Sequence, residues 1–204
     1  MGLRNTFIAI VAVCAIGTGA WLSYHLAVPP PAPKTAPVLP AAAPLAEFSL
    51  LDQHGEPVSR DTFRGQWDLV FFGFTNCPDV CPLTLQVLAS ARSELAAAHQ
   101  EPLPRIVLVS VDPERDTPEI MQAYVGSFGE DILGVTGELD ELRKLTSSLG
   151  IFFAKSVIDG GDYTMDHSAV VLAINPQGEF HALFGAPHTI ENFVHDLPLI
   201  LSAQ

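Results

Sequence analysis

The sequence predicts an α/β domain, a mixed sheet flanked by helices, carried behind one N-terminal helix of membrane-spanning length. Three observations predict it. QWDLVFFGF (66–74) and RIVLVSVD (105–112) are short, continuous apolar runs of the kind found in strands buried on both faces. A helical stretch separates them with no hairpin turn, which is the order of a parallel βαβ unit. Later, SAVVLAINPQG and EFHALFG are joined by the turn residues NPQG and read as an antiparallel hairpin.

The elements follow in order. FIAIVAVCAIGTGAWLSYHLAV (7–28) is nearly uncharged and long enough to cross a hydrocarbon core of about 30 Å. Arg4 precedes it, so the positive-inside rule keeps that end in the cytoplasm and exports the rest. A cleaved signal peptide is the alternative, but the run is long for one and no convincing A-x-A site follows its polar end. Cys14, inside the run, reads as membrane packing. Residues 1–28 are therefore taken as the anchor. Residues 29–45, PPPAPKTAPVLPAAAPL, are rich in proline and alanine and read as a semi-rigid stalk with neither ladder nor core. In polyproline II form, at about 3.1 Å per residue, the stalk would reach roughly 50 Å.

Residues 46–204 have the composition of a globular domain. FSLLDQHGEPV suggests an edge hairpin, and LTLQVLASARSELAAAHQ (83–100) has helical spacing behind Pro82. TPEIMQAYVGSFG opens with a Thr cap and a Pro at the first helical position. ELDELRKLTSSLG and TIENFVHDLPLILSA supply two more helices. Parallel strands first, antiparallel strands after, with helices on the faces, is the thioredoxin-like arrangement. The formal charge of −13 argues against nucleic acid or an anionic membrane surface as the main partner.

The chain has only three cysteines, and two of them, Cys77 and Cys81, stand where a buried strand gives way to a helix. Were the turn helical, their Cβ atoms would lie about 5–6 Å apart on one face. That spacing permits a disulfide, and it equally lets two thiolates grip one metal ion. A helix N-terminus favours the thiolate for either use. A purely stabilising bridge is the plainer reading, yet so small a loop removes little unfolded-state entropy. A CxxC pair here would mark a disulfide oxidoreductase, and this spacer is one residue longer. Thiolates with imidazole select Cu(I), Cu(II) or Zn(II). Of the seven histidines, His25, His54, His99, His181, His188 and His195 read as surface or satisfied core residues. His167 differs, because it follows a glycine-rich polar loop and precedes a buried strand.

FTNCPDVCPLTL, VSVDPERDTPE and DHSAVVLAINPQG, in that order and at these separations, resemble the Sco/SenC family of copper-binding proteins, over roughly residues 45–200. The resemblance implies a thioredoxin-like fold with a single N-terminal anchor. It implies one copper ion, Cu(I) or Cu(II), bound by Cys77, Cys81 and His167. It further implies a metallochaperone, without catalytic residues, that assists assembly of the CuA centre of cytochrome c oxidase. The CuA-bearing subunit would be its partner, with an upstream periplasmic copper donor behind it. The chain would be a single-pass inner-membrane protein with its domain in the periplasm. The alternative is a thiol-disulfide reductase, in which Cys77 and Cys81 cycle through a disulfide to keep the oxidase cysteines reduced. A peroxidase-like reading lacks an arginine close in sequence to either cysteine, and structural zinc wants a fourth ligand. Asn76 stands where many relatives carry a histidine or an aromatic residue. Asp112 ends a strand near the sheet edge and either contacts the site or a partner or, with Arg115 and Asp116, caps the following helix and braces the loop.

Overall fold

The run 66–74 does become a central strand, and what surrounds it contains four strands that the hydrophobic pattern does not show. In the computed structural model, residues 2–27, 32–158 and 160–202 are described. The elements are α1 (Leu3–Ala27), β1 (Val38–Pro44), β2 (Leu50–Asp52), β3 (Pro57–Val58), β4 (Asp68–Gly73), α2 (Val80–Ala97), β5 (Arg105–Ser110), α3 (Pro118–Gly126), β6 (Ile132–Thr136), α4 (Leu139–Ser148), β7 (Phe153–Val157), β8 (Tyr163–His167), β9 (Val170–Ile174), β10 (Glu179–Gly185) and α5 (Ile190–Leu201). They fall into two units, Met1–Ala32 and Pro33–Gln204. The first is α1, whose stretch Arg4–Ser23 is long and apolar enough to cross a membrane.

The second unit is built on an eight-stranded sheet in the order β1-β10-β9-β4-β5-β6-β2-β3. β4, β5 and β6 run parallel, and the other pairs are antiparallel. The expected edge hairpin is β2–β3. All six residues of β4 are buried. Its Leu69, Val70, Phe71 and Phe72 are each no more than 2% exposed. At about 1.5–3 kcal/mol per large apolar side chain, this strand is a principal source of stability. α3 starts as the sequence predicts, with the Thr117 side chain accepting from the Ile120 N–H and Pro118 in the first turn.

The stalk reading of 29–45 does not hold for the residues described. Val38–Pro44 pairs antiparallel with β10 at the sheet edge, and Ala36 and Leu45 are buried. Residues 29–31 lie outside the described residues. An edge strand needs hydrogen bonds on one side only, so Pro40 and Pro44 are tolerated there. The segment before it is held by Asp196, which accepts from the Lys34, Thr35 and Ala36 N–H groups and from the Thr35 hydroxyl. Burial opposes ionisation, but the Lys34 and Thr35 donors, together with the His195 imidazole, keep the Asp196 carboxyl well below the usual range. No linear pattern announces such a pairing, since both the strand and its acceptor depend on a partner some 160 residues away.

β7 and β8 form a separate two-stranded sheet, fully in register from Phe153↔His167 to Val157↔Tyr163. It is this hairpin, and not a loop, that delivers His167.

Candidate metal centre

β4 ends at Gly73, and the chain turns immediately. The Cys77 N–H donates to the Phe74 carbonyl at 3.3 Å. Asp79 is the N-cap of α2, but its side chain makes no capping hydrogen bond. The sulfur of Cys77 takes that role instead, accepting the Cys81 N–H at 3.4 Å. Only Cys81 lies within the helix, so the two cysteines do not share a helical face as the i, i+4 spacing suggested. Cys77 is half-buried and Cys81 fully buried, and the structure holds both as free thiols. Gly73 makes room for this. A Cβ there would stand 2.9 Å from a Phe71 ring carbon and 3.0 Å from Cys81 Sγ.

The turn is braced from below by Asp116, which has no exposed surface. Its carboxylate accepts from the Thr75 N–H at 3.0 Å, and from the hydroxyls of Thr75 and Ser110 at 2.6 Å each. Burial nevertheless raises its pKa, with the three donors opposing.

His167 arrives from 86 residues away, with Nε2 3.5 Å from Cys81 Sγ. Its Nδ1 lies 3.2 Å from the Ser168 carbonyl, so Nδ1–H donates there and Nε2 turns its lone pair to the sulfur. Phe71 and Phe74 meet the ring edge-on, at 6.0 Å and 5.9 Å between centroids. Burial pushes the imidazole pKa down, which keeps the ring neutral. Cys81 departs from expectation. Burial pushes its thiol pKa far up, and the hydrogen bond with Cys77 adds to the rise. The helix-terminus argument fails for this sulfur because desolvation of the charged form outweighs the partial charge of the helix end.

Two sulfurs and a neutral imidazole nitrogen are the donor set of a soft metal ion. Among the described residues no three His, Cys, Asp or Glu side chains form a ready-made cluster. Cys81 and His167 touch, while Cys77 Sγ is engaged by the Cys81 amide. The remaining histidines do not join them. His54 and His99 are exposed, His181 lies edge-on to Trp67, His188 packs on Phe193, and His195 bonds Asp196. The side chain of His25 lies outside the described residues. Asp112 is 2% exposed and bonds Arg115 and the Tyr163 hydroxyl, which matches the bracing reading of that loop. Sequence reasoning singled out neither Thr75 nor Tyr163. The DPERDTP run marked their partners, but nothing local in sequence marks them.

The family described as SCO1/SenC matches residues 38–202. A protein of Stutzerimonas stutzeri named for copper binding is 34% identical over 167 residues, covering 82% of this chain and 81% of that one. The mouse mitochondrial SCO2 homolog is 35% identical over 200 residues, covering 96% of this chain and 78% of its own length. Among solved structures, Arabidopsis thaliana ScoI with copper bound matches with a TM-score of 0.75 at 30% identity, over 79% of this chain and 100% of that one. The mixed sheet is thus the thioredoxin-like one that the element order predicted.

Proposed function

The chain belongs to the SCO1/SenC family, and from that premise we propose that it is a membrane-tethered copper carrier serving assembly of the CuA centre of cytochrome c oxidase. The observation that carries the reading is the contact between Cys81 Sγ and His167 Nε2, two soft donors 3.5 Å apart in a buried, aromatic-walled site. Cys77, half-exposed at its rim, completes the set once its side chain rotates off the Cys81 amide. Copper is cargo here. Three ligands, one of them at the surface, leave the ion open to exchange onto a receiving protein's own sulfurs. The burial that disfavours a free Cys81 thiolate also means that copper must displace its proton, so uptake releases protons and weakens in acid. The Stutzerimonas relative named for copper binding and the Arabidopsis structure with copper bound support the choice of ion. The recipient is the CuA-bearing oxidase subunit. α1 is the anchor, with Arg4 on the cytoplasmic side of the inner membrane and the domain in the periplasm.

The test is anaerobic Cu(I) loading of the reduced full chain in detergent, followed by desalting. One copper per chain is expected. The Cys77→Ser, Cys81→Ser double variant should retain none, and His167→Ala should bind more weakly. Wild-type affinity in the double variant would sink the reading.

A second reading has its own support in the asymmetry of the sulfurs, one accessible and one buried. As a reductase, Cys77 attacks a partner disulfide, forming a mixed disulfide and expelling one partner sulfur, which takes up a proton. Cys81 then loses its proton, attacks Cys77 and expels the second. Two electrons pass to the partner, and the chain is left with a Cys77–Cys81 disulfide. His167→Ala separates the readings, because disulfide exchange needs no imidazole ligand. Cells carrying that variant should assemble little oxidase under copper limitation and recover when copper is added. Full assembly without added copper would favour the reductase.

A further inference from the structure

His167 sits at one end of a hairpin that shares no strand pairing with the main sheet; Phe71 and Phe74 pack on its ring and β9 begins three residues on, and a further hold acts at the other end of the hairpin. The far end of the hairpin is gripped by the loop between β5 and α3. Arg115 donates through Nε to Asp112 and through Nη1 to the Tyr163 carbonyl at 3.1 Å. Its guanidinium lies 3.8 Å from the centroid of the Tyr163 ring. Lys155 Nζ lies 3.9 Å from the same centroid and is itself paired with Glu114 at 2.7 Å. The Tyr163 hydroxyl donates to Asp112 Oδ1 at 2.9 Å. Tyr163 is therefore held by two cations and by a buried carboxylate. The loop that holds it is also the loop whose Asp116 grips Thr75, two residues before Cys77.

We propose that Arg115 and Tyr163 are positioning residues for His167: the loop 112–116 spans both halves of the site and, through its grip on Tyr163, sets how closely the imidazole approaches Cys81. Tyr163, Met165 and His167 alternate along β8 and so share one face, which makes the strand a short rigid arm between clasp and ligand. The clasp is electrostatic and stands between surface and core, with the Arg115 side chain 22% exposed and the Asp112 side chain buried. The inference rests on the copper reading for its consequence, but not for its geometry.

Two measurements on the reduced full chain in detergent, wild type against Tyr163→Ala, test it, with Tyr163→Phe as the conservative variant. In copper-free protein labelled at histidine, the His167 ring protons, assigned by their loss in His167→Ala, are shifted by Phe71 and Phe74. Tyr163→Ala should move them toward random-coil positions and speed amide exchange across 153–167, while exchange in 68–73 and 105–110 stays as in wild type. In a Cu(I) competition titration, Tyr163→Ala should weaken binding on the order of tenfold. The same substitution in a His167→Ala background should add nothing. Tyr163→Phe keeps both cation contacts and should recover most of the loss. Unmoved His167 signals would overturn the clasp, as would an equal loss of affinity in the His167→Ala background. A wild-type chain that takes up no copper refutes the carrier reading alone, and the ring-proton comparison then judges the clasp.

Discussion

The cysteine turn and the histidine hairpin meet where Cys81 and Phe74 face His167, but are held by different means. The turn grows from β4, every residue of which is buried, and is pinned by a carboxylate with no exposed surface. The hairpin has only Met165 buried among its strand residues, and Val157 near its tip is 80% exposed. Regions with few buried apolar contacts open at lower free energy than the core around them. The backbone on the sulfur side is thus fixed with the fold, whereas the imidazole side is docked onto it. Under the proposed carrier reading, such a division would let the imidazole withdraw while Cys77 and Cys81 stay anchored to the turn.

The contrast can be broken most forcefully from the cysteine side. Asp116→Ala strands the Thr75 N–H and two hydroxyls in a buried place, and should lower the unfolding free energy by about 3 kcal/mol in urea. A loss under about 1 kcal/mol would locate the rigidity of the turn elsewhere. Gly73→Ala should cost about 1–3 kcal/mol by overpacking Phe71 and Cys81, with Cys81 also displaced from His167. An unchanged midpoint with unchanged copper affinity would show that the turn yields more easily than its packing implies.

Acidification gives a smaller and graded effect. Burial lowers the pKa of His167, His181 and His188, so each binds its proton later in the folded chain than in the unfolded one. Their neutral forms contribute stability that is present above the unfolded value near 6.5 and is lost as pH falls below it. The share of these histidines in the unfolding free energy of copper-free protein should therefore be smaller at pH 5.5 than at pH 7.5, against the opposing share of Asp68 and Asp116, whose raised pKa values favour the folded chain in acid. His167→Gln should remove only the hairpin's share of that difference, leaving the shares of His181 and His188. If His167→Gln abolished the whole pH effect, the main body would be the less sensitive region. Smallest of all, Val157→Lys should change stability by less than about 0.5 kcal/mol, as at other exposed sites. A larger loss would mean that the hairpin tip is packed against something in solution.

Legibility followed the range of the interactions. QWDLVFFGF and RIVLVSVD were readable as buried strands because burial on both faces writes a continuous apolar run into the chain. Thr117–Pro118 was readable as a helix start because a cap is a contact across three residues. β6, with a glycine among its five residues, β1, with prolines at Pro40 and Pro44, and the half-exposed β7–β8 pair carry no such local signature.

What the sequence determined by itself is the α/β class and the membrane-length apolar helix; Cys77, Cys81 and His167 came forward as a set through the resemblance to the Sco/SenC family, and the structure brings Cys81 and His167 into contact. Tertiary structure alone decided that Cys77 caps the helix that Cys81 enters, that burial raises the Cys81 thiol pKa where the helix end was expected to lower it, and that residues 38–44 close a sheet edge. It also decided that Asp112, Arg115 and Tyr163 form one clasp. The physical reason is common to all of these except the Cys77 cap, which spans only four residues. Desolvation, edge pairing and clasping depend on groups tens of residues apart that folding alone makes neighbours, whereas periodicity and caps are settled among residues within a turn or two of each other.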